Sequence, residues 1–162
     1  MKQLFSSLRY GAYKDSGVEW LGEVPVLWEL KRIKEVCDIN KSTLSEKTPA
    51  SYEFDYVDIG SVTYGIHGYI KERMTFDAAP SRAKRIVKKG DTIISTVRTY
   101  LKAITSINDE VLNLIVSTGF AVISPNKRIF DKYCSYLLTS NCLVDEICAL
   151  STGSVTPQQT LQ

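Results

Sequence analysis

The sequence holds a single histidine, His67, in 162 residues, and no second imidazole is available to complete a His-based metal or acid–base pair. With Gly65 and Gly68 around it after Tyr64, His67 fits an exposed loop residue better than a general base. The four cysteines (Cys37, Cys134, Cys142, Cys148) lack paired Cys-x-x-Cys spacing, which argues against a zinc site or a disulfide framework and fits a reducing cytoplasm. No apolar run approaches the roughly 20 residues of a membrane helix, so no membrane role is expected. Residues 1–7 lack the long apolar core and cleavage site of a signal peptide. Also missing are a Gly-x-x-x-x-Gly-Lys-[Ser/Thr] loop, a Gly-x-Ser-x-Gly elbow and the [Asp/Asn/Ser]-Pro-Pro-[Tyr/Phe] motif shared by amino-methyltransferases. Glu29-Leu30-Lys31 matches the Glu-x-Lys half of a nuclease site, but three-residue matches are common by chance. No catalytic residue, metal or cofactor is therefore assigned.

What is present is an ordinary globular composition, 44% hydrophobic and 23% charged, in a length that suits one domain with a sizeable core. Residues 1–30 hold Tyr10, Tyr13, Trp20 and Trp28 among turn signals such as Asp15-Ser16-Gly17 and read as an extended arm laid on the domain by its aromatics. The spacing of Trp28, Ile33 and Val36 predicts a short amphipathic helix over 28–36. In 52–60 Tyr52, Phe54 and Tyr56 alternate with Glu53 and Asp55, the pattern of a strand with one buried face. Further strands are expected at 84–88, 92–98, 102–107 and 113–124, with Lys89-Gly90-Asp91 as a turn. Phe130, Tyr133, Cys134 and Leu137, then Leu143, Ile147 and Leu150, have helical spacing. Ser140-Asn141 can cap the second helix and Gly153 can stop it.

Charge is distributed unevenly. Residues 79–104 carry seven of the twenty Lys and Arg residues and one acid, a local +6 in a chain whose net charge is +2. A hairpin about the Gly90-Asp91 turn would bring Arg82, Lys84, Arg85, Lys88 and Lys89 close to Arg98 and Lys102, because paired strands lie about 5 Å apart. Mutual repulsion disfavours such a cluster unless a polyanion neutralises it, and phosphates with releasable counterions do so. The bland alternative is an edge strand that carries lysine to block aggregation. It fits Lys88 and Lys89 well and Arg98 poorly, since Arg98 ends an apolar strand and is followed by Tyr100.

Four separated motifs carry a resemblance. "YKDSGVEWLGEVPVLWELKRIK" (13–34), "APSRAKRIVKKGDTIISTVRTYLKAI" (79–104), "STGFAVISP" (117–125) and "STGSVTPQQ" (151–159) occur in the order found in the specificity subunit of type I restriction-modification systems. The chain resembles that family's first target recognition domain over nearly its whole length. Thr99 departs from the pattern where many members have proline, which leaves the 98–102 loop less constrained. The long spacer helix and second recognition domain of family members do not follow Gln162, so the expectation is one DNA target recognition domain over 1–162. The resemblance implies recognition of one part of a split double-stranded DNA target. The modification (methyltransferase) subunits, and through them the restriction subunit, would be partners that do the chemistry.

The expected fold is α+β, a twisted, mostly antiparallel β-sheet with helices near both ends. Phosphate contacts are expected from Ser81, Arg82, Lys84, Arg85, Arg98, Tyr100 and Lys102. Arg98 suits a phosphate or a guanine alike, and its place in the family-wide motif favours phosphate. Base readout is expected from Ser61, Thr63, Tyr64 and His67 on the glycine-rich loop 60–69, which a plain strand connection explains equally well. Ser117-Thr118-Gly119 and Ser151-Thr152-Gly153-Ser154 read as turn and helix-stop chemistry. Trp20 and Trp28 read as packing anchors, and Tyr133, Leu137, Leu143 and Ile147 as core or as a surface for spacer helices. The alternatives are an RNA-binding or regulatory module using the same basic hairpin, and a truncated specificity protein acting as a subunit-interaction fragment.

Overall fold

The computed structural model of the chain describes residues 10–64 and 68–152, which form two compact units divided between Arg32 and Ile33. In the first unit, β1 (Tyr13–Asp15) pairs antiparallel with β2 (Glu23–Pro25). The tip between them turns at Gly17 and Gly22, both at positive φ. Tyr10 meets Trp28 edge-on with ring centroids 5.7 Å apart and meets Tyr13 at 6.5 Å. The segment expected as an extended arm thus contains a two-stranded ribbon with its own aromatic contacts.

The second unit is α+β. After a single helical turn, α1 (Ile33–Val36), come β3 (Cys37–Ile39), β4 (Glu53–Val57), β5 (Glu72–Thr75), β6 (Ala83–Val87), β7 (Thr92–Ser95), β8 (Ile104–Ser106), β9 (Leu114–Ser117) and β10 (Phe120–Pro125). Two helices follow, α2 (Asp131–Leu138) and α3 (Asn141–Thr152). The strands form two four-stranded sheets, one ordered β3-β10-β7-β8 and the other β5-β4-β9-β6. All pairs are antiparallel except β4 with β9. The helix expected over 28–36 is therefore limited to 33–36.

Period-2 alternation sorts the core into layers. Val57, Leu114 and Val116 of one sheet pack in a shared cluster with Ile93, Phe120 and Val122 of the other. The alternate residues Ile94 and Ile123 join Cys134, Leu138, Leu143 and Val144 of the two helices. On the far side Phe54, Tyr56 and Ile115 pack with Leu44, Met74 and Phe76. Buried hydroxyls tie α2 to its sheet: Ser135 Oγ donates to Ser106 Oγ at 2.6 Å, and Ser106 also meets Thr92 Oγ1 at 2.9 Å. Ser140 caps α3, its Oγ accepting the Leu143 N–H at 3.5 Å. Tyr133 is 49% exposed rather than core. Gly153 lies outside the described residues.

The basic hairpin is not formed. β6 pairs with β9, whereas β7 pairs with β10 and β8, so the Lys88–Asp91 turn passes the chain from one sheet to the other. Val87 and Ile93, on either side of the turn, both enter the shared core, and burying both outweighs local pairing. Gly90, at φ +89°, supplies the left-handed turn conformation. The expected strand 113–124 is broken for the same reason. Ser117-Thr118-Gly119 turns the chain from β9 to β10, which belong to different sheets, and Ser117 Oγ accepts the Gly119 N–H at 3.2 Å. The strand expected over 92–98 ends at Ser95, whose Oγ donates to Val97 O at 2.5 Å and turns the backbone.

Candidate nucleic-acid interface

Strand register places one set of chain ends together. The parallel β4–β9 pair aligns Val57 with Val116, and antiparallel β6 sets Ala83 opposite Ser117. In the other sheet Phe120 lies opposite Ser95, and Ile94 opposite Ile104. The loop after β4, the residues before β6, the turn 117–119 and the loop from β7 to β8 therefore emerge at the same end of both sheets. They hold Ser61, Thr63, Tyr64, Ser81, Arg82, Arg98, Tyr100 and Lys102. Eight of the eleven residues singled out in the sequence thus share one end; His67 lies outside the described residues.

Backbone contacts stitch this end together. Thr118 N–H donates to Arg82 O at 2.8 Å, and Gly119 O accepts from both Thr96 N (2.8 Å) and Thr96 Oγ1 (3.0 Å). A Cβ on Gly119 would lie 2.5 Å from Ile59 Cδ1, so glycine permits the close approach. The 60–69 loop closes on itself, Thr63 N–H donating to Gly68 O and Ile70 N–H to Ser61 O. In the 96–103 loop a 3₁₀ turn (Thr99–Leu101) is bracketed by Arg98 at φ +52° and Lys102 at φ +50°. Two left-handed non-glycine residues four positions apart are strained, and such strain clusters at functional sites. Val97, Tyr100 and Leu101 of this loop are about half exposed.

Helix α3 anchors both loops, a role the sequence did not suggest. Tyr64 Oη donates to Thr139 O at 2.9 Å and lies 2.8 Å from the Asn141 side-chain amide. Lys102 Nζ lies 2.7 Å from Asp145 Oδ1, and Cys148 Sγ donates to Thr99 O at 3.2 Å. Asn141 and Asp145 are one helical turn apart, so the same face of α3 meets both loops. The Asn141–Asp145 spacing is the one signal the sequence held, and it says nothing of partners 77 and 43 residues upstream.

Carboxylates remote in sequence answer the excess of positive charge. Arg82 pairs with Asp58 (3.0 Å), Lys84 with Glu46 (3.0 Å), Lys89 with Glu110 (3.0 Å) and Lys102 with Asp145 (2.7 Å). Most of these pairs are solvent-exposed and each contributes no more than about 1 kcal/mol. They nevertheless remove the expectation that the cluster must repel itself without a polyanion. Among the described residues Arg98 has no ion-pair partner. Asp58 is subject to opposing effects: burial raises its pKa, but hydrogen bonds from Arg82, Ile59 N–H and Tyr56 prevail and hold it below the usual carboxylate range. The pair is therefore charged at neutral pH.

Lys84 and Arg85 lie just inside this end, in the first half of β6. Residues 42–44 cover the outer edge of β6, Leu44 N–H donating to Lys84 O at 2.8 Å and Ile86 N–H to Ser42 O at 3.0 Å. This is not the bare edge strand of the bland alternative. The Lys84 side chain is 19% exposed and its ammonium lies 4.9 Å from the Phe76 ring centroid. Arg85 Nε is buried without a hydrogen-bond partner. Lys88 and Lys89 lie at the opposite end of the sheets, beside the turn at Gly90. Among the described residues no group of His, Cys, Asp or Glu could hold a metal, and no helix is long and apolar enough to cross a membrane.

Comparison with known proteins agrees with this geometry. Residues 25–162 match the family described as type I restriction modification DNA specificity domain. No curated protein matches the chain significantly. Among solved structures the chain is similar to the HsdS subunit from Thermoanaerobacter tengcongensis, with 30% identity, a TM-score of 0.68, and coverage of 82% of this chain and 33% of that one. A second similar chain comes from a structure of type I R-M system assembly and conformational transition, with 26% identity, a TM-score of 0.68, and coverage of 85% and 34%. This chain thus spans about a third of the length of the solved relatives it matches.

Proposed function

The chain belongs to the type I restriction modification DNA specificity domain family, and from that membership we propose that it recognises double-stranded DNA sequence-specifically, as one target recognition domain. One observation carries this reading: the strand ends gather hydroxyl, aromatic and cationic side chains from three separate loops on one face. Phosphate contacts fix position and base-edge contacts supply sequence, so a reader needs both kinds side by side. Arg98, Lys102, Ser81 and Tyr100 suit the phosphates. Ser61 and Thr63 suit base edges in the major groove, and His67 joins them as the third candidate of that loop. Tyr64 serves to position the 60–69 loop, since its hydroxyl is engaged by α3. Lys84 and Arg85, which follow Arg82 along β6, would act only where DNA extends along that strand.

The chain carries no catalysis of its own in this reading. Methylation and cleavage belong to modification and restriction subunits that work with it in the cytoplasm. The test is binding of duplex DNA in competition with structured RNA, by the chain alone and with methyltransferase subunits added. Alone it should bind duplex at about 10⁻⁴ to 10⁻⁶ M, and the assembly should reach about 10⁻⁸ M with sequence selectivity. Preference for structured RNA would favour the RNA-binding alternative. Turnover that co-purifies with the chain and is abolished by a point mutation in it would overturn the non-catalytic reading.

A further inference from the structure

We propose that Arg82 is a specificity-determining residue that reads guanine in the major groove, held in position by Asp58, and is not a phosphate contact. The proposal rests on the DNA-recognition reading above and deepens it. Arg82 lies at the shared end of the sheets, its side chain 54% exposed, and it engages Asp58 edge to edge. Nε donates to Oδ1 at 3.3 Å and Nη2 to Oδ2 at 3.0 Å. A guanidinium presents its N–H donors in a rigid planar fork. With the Nε edge occupied, the Nη1 pair and the remaining Nη2 hydrogen point away from Asp58. That outer edge matches the O6 and N7 acceptors of guanine, the commonest specific contact of arginine in DNA.

Both ends of the device are fixed. Arg82 O accepts the Thr118 N–H at 2.8 Å, and the next residue, Ala83, is 1% exposed at the start of β6. Asp58 directly follows β4, and its Oδ1 also accepts the hydroxyl of Tyr56, itself 5% exposed, at 3.3 Å. Holding the reading group through a second polar contact is how a recognition site reaches the needed precision. Charge argues the same way. Asp58 neutralises Arg82 and so weakens a phosphate contact, as Asp145 does for Lys102, but it opposes the partial charges of a base edge less, and the planar fork, which Lys102 lacks, suits Arg82 to that edge. Arg98, which has no ion-pair partner among the described residues, is the better phosphate group.

The test selects a target from a randomised duplex library with the specificity protein assembled with its methyltransferase subunits. Arg82→Ala, Arg82→Lys and Asp58→Asn are then measured on single-base variants of that target over a salt titration. Lys89→Ala, at the opposite end, is the control. Thermal melts confirm that each variant is folded. Arg82→Lys should relax the preference at one G·C pair, by about 5- to 150-fold, with the salt slope unchanged, and Arg82→Ala should relax the same preference while leaving Asp58 unpaired. Asp58→Asn should relax the same preference and steepen the salt slope, because the freed cation now reaches phosphates. If Arg82→Ala weakens all sequences alike, lowers the slope by about one and is rescued by lysine, Arg82 holds a phosphate and the proposal fails while DNA recognition stands. An Arg82→Ala variant indistinguishable from wild type also overturns it. If the wild-type assembly selects no sequence, or selects one that changes in this chain never alter, the DNA-recognition reading fails first.

Discussion

Lys102 Nζ is held 2.7 Å from the Asp145 carboxylate across forty-three residues of sequence, joining the left-handed end of the β7–β8 loop to the first turns of α3. The Asp145 hydrogen bond and charge raise the pKa of the already cationic ammonium. Lys102 is thus oriented but partly neutralised before any ligand arrives. Asp145→Asn should therefore strengthen binding to every duplex alike by a few fold and steepen the salt dependence, whereas Lys102→Ala should weaken all sequences and lower the slope by about one. A change confined to one base position in either variant would mean that Lys102 reads a base.

The strain at Arg98 separates stability from binding. An L-residue in the left-handed region costs about 1–2 kcal/mol, and glycine removes that cost while losing about 0.5–1 kcal/mol of unfolded-state entropy. Arg98→Gly should leave thermal stability unchanged or raise it by up to about 1 kcal/mol while weakening DNA binding. Marked destabilisation would show that side-chain contacts of Arg98, and not the DNA site, maintain the loop.

Cys37 and Cys134 place their sulfurs 3.5 Å apart inside the helix-facing core, both nearly fully buried. Burial, reinforced by the Cys37 contact, pushes the Cys134 thiol up to about 12, and burial raises Cys37 as well. Thiol reactivity follows the thiolate fraction and access. At pH 8 iodoacetamide should label exposed Cys142 first and reach Cys37 and Cys134 only on unfolding. Mass spectrometry of timed digests gives the order, and early labelling of Cys134 would contradict the buried pair.

Local features of this fold were legible where one segment decides them. Alternation in Tyr52–Val57 marked a strand whose Phe54 and Tyr56 are buried, Gly90 marked a turn, and Ser140 marked the start of α3. The basic hairpin was not, because the true partner of β6 is β9, some thirty residues on, and the choice between adjacent and distant pairing depends on the shared core. The same limit hid Asp58, Glu46, Glu110 and Asp145, which answer charges that looked unopposed in the sequence. Family motifs located Arg82, Arg98 and Lys102 but not their common position, which depends on the parallel β4–β9 pair.

Asp91, 2% exposed, has two unequal oxygens. Oδ2 accepts the Lys88 N–H at 2.9 Å and closes the turn between the sheets, while Oδ1 is buried without a hydrogen-bond partner. Burial raises its pKa; the Lys88 N–H and, without completing a hydrogen bond, the Ser124 hydroxyl in the same small cleft offset this only in part. The folded pKa thus exceeds the unfolded value of about 3.9. Its contribution to stability is fully present below the unfolded pKa and is lost as pH rises through the folded one, so at neutral pH the ionised carboxylate is a net penalty. Asp91→Asn keeps an oxygen for Lys88 N–H and removes the charge. At pH 7.5 it should be neutral or stabilising by about 1 kcal/mol, an advantage that shrinks towards pH 4 as the wild-type carboxyl protonates. Asp91→Ala, which also loses the turn bond, should be about 1–2 kcal/mol less stable than Asp91→Asn at both pH values, so its deficit against wild type grows towards pH 4. Urea melts of the three proteins at the two pH values provide the check. An asparagine variant less stable at neutral pH whose deficit fades in acid would mean that the ionised form, and not the protonated one, supports the turn.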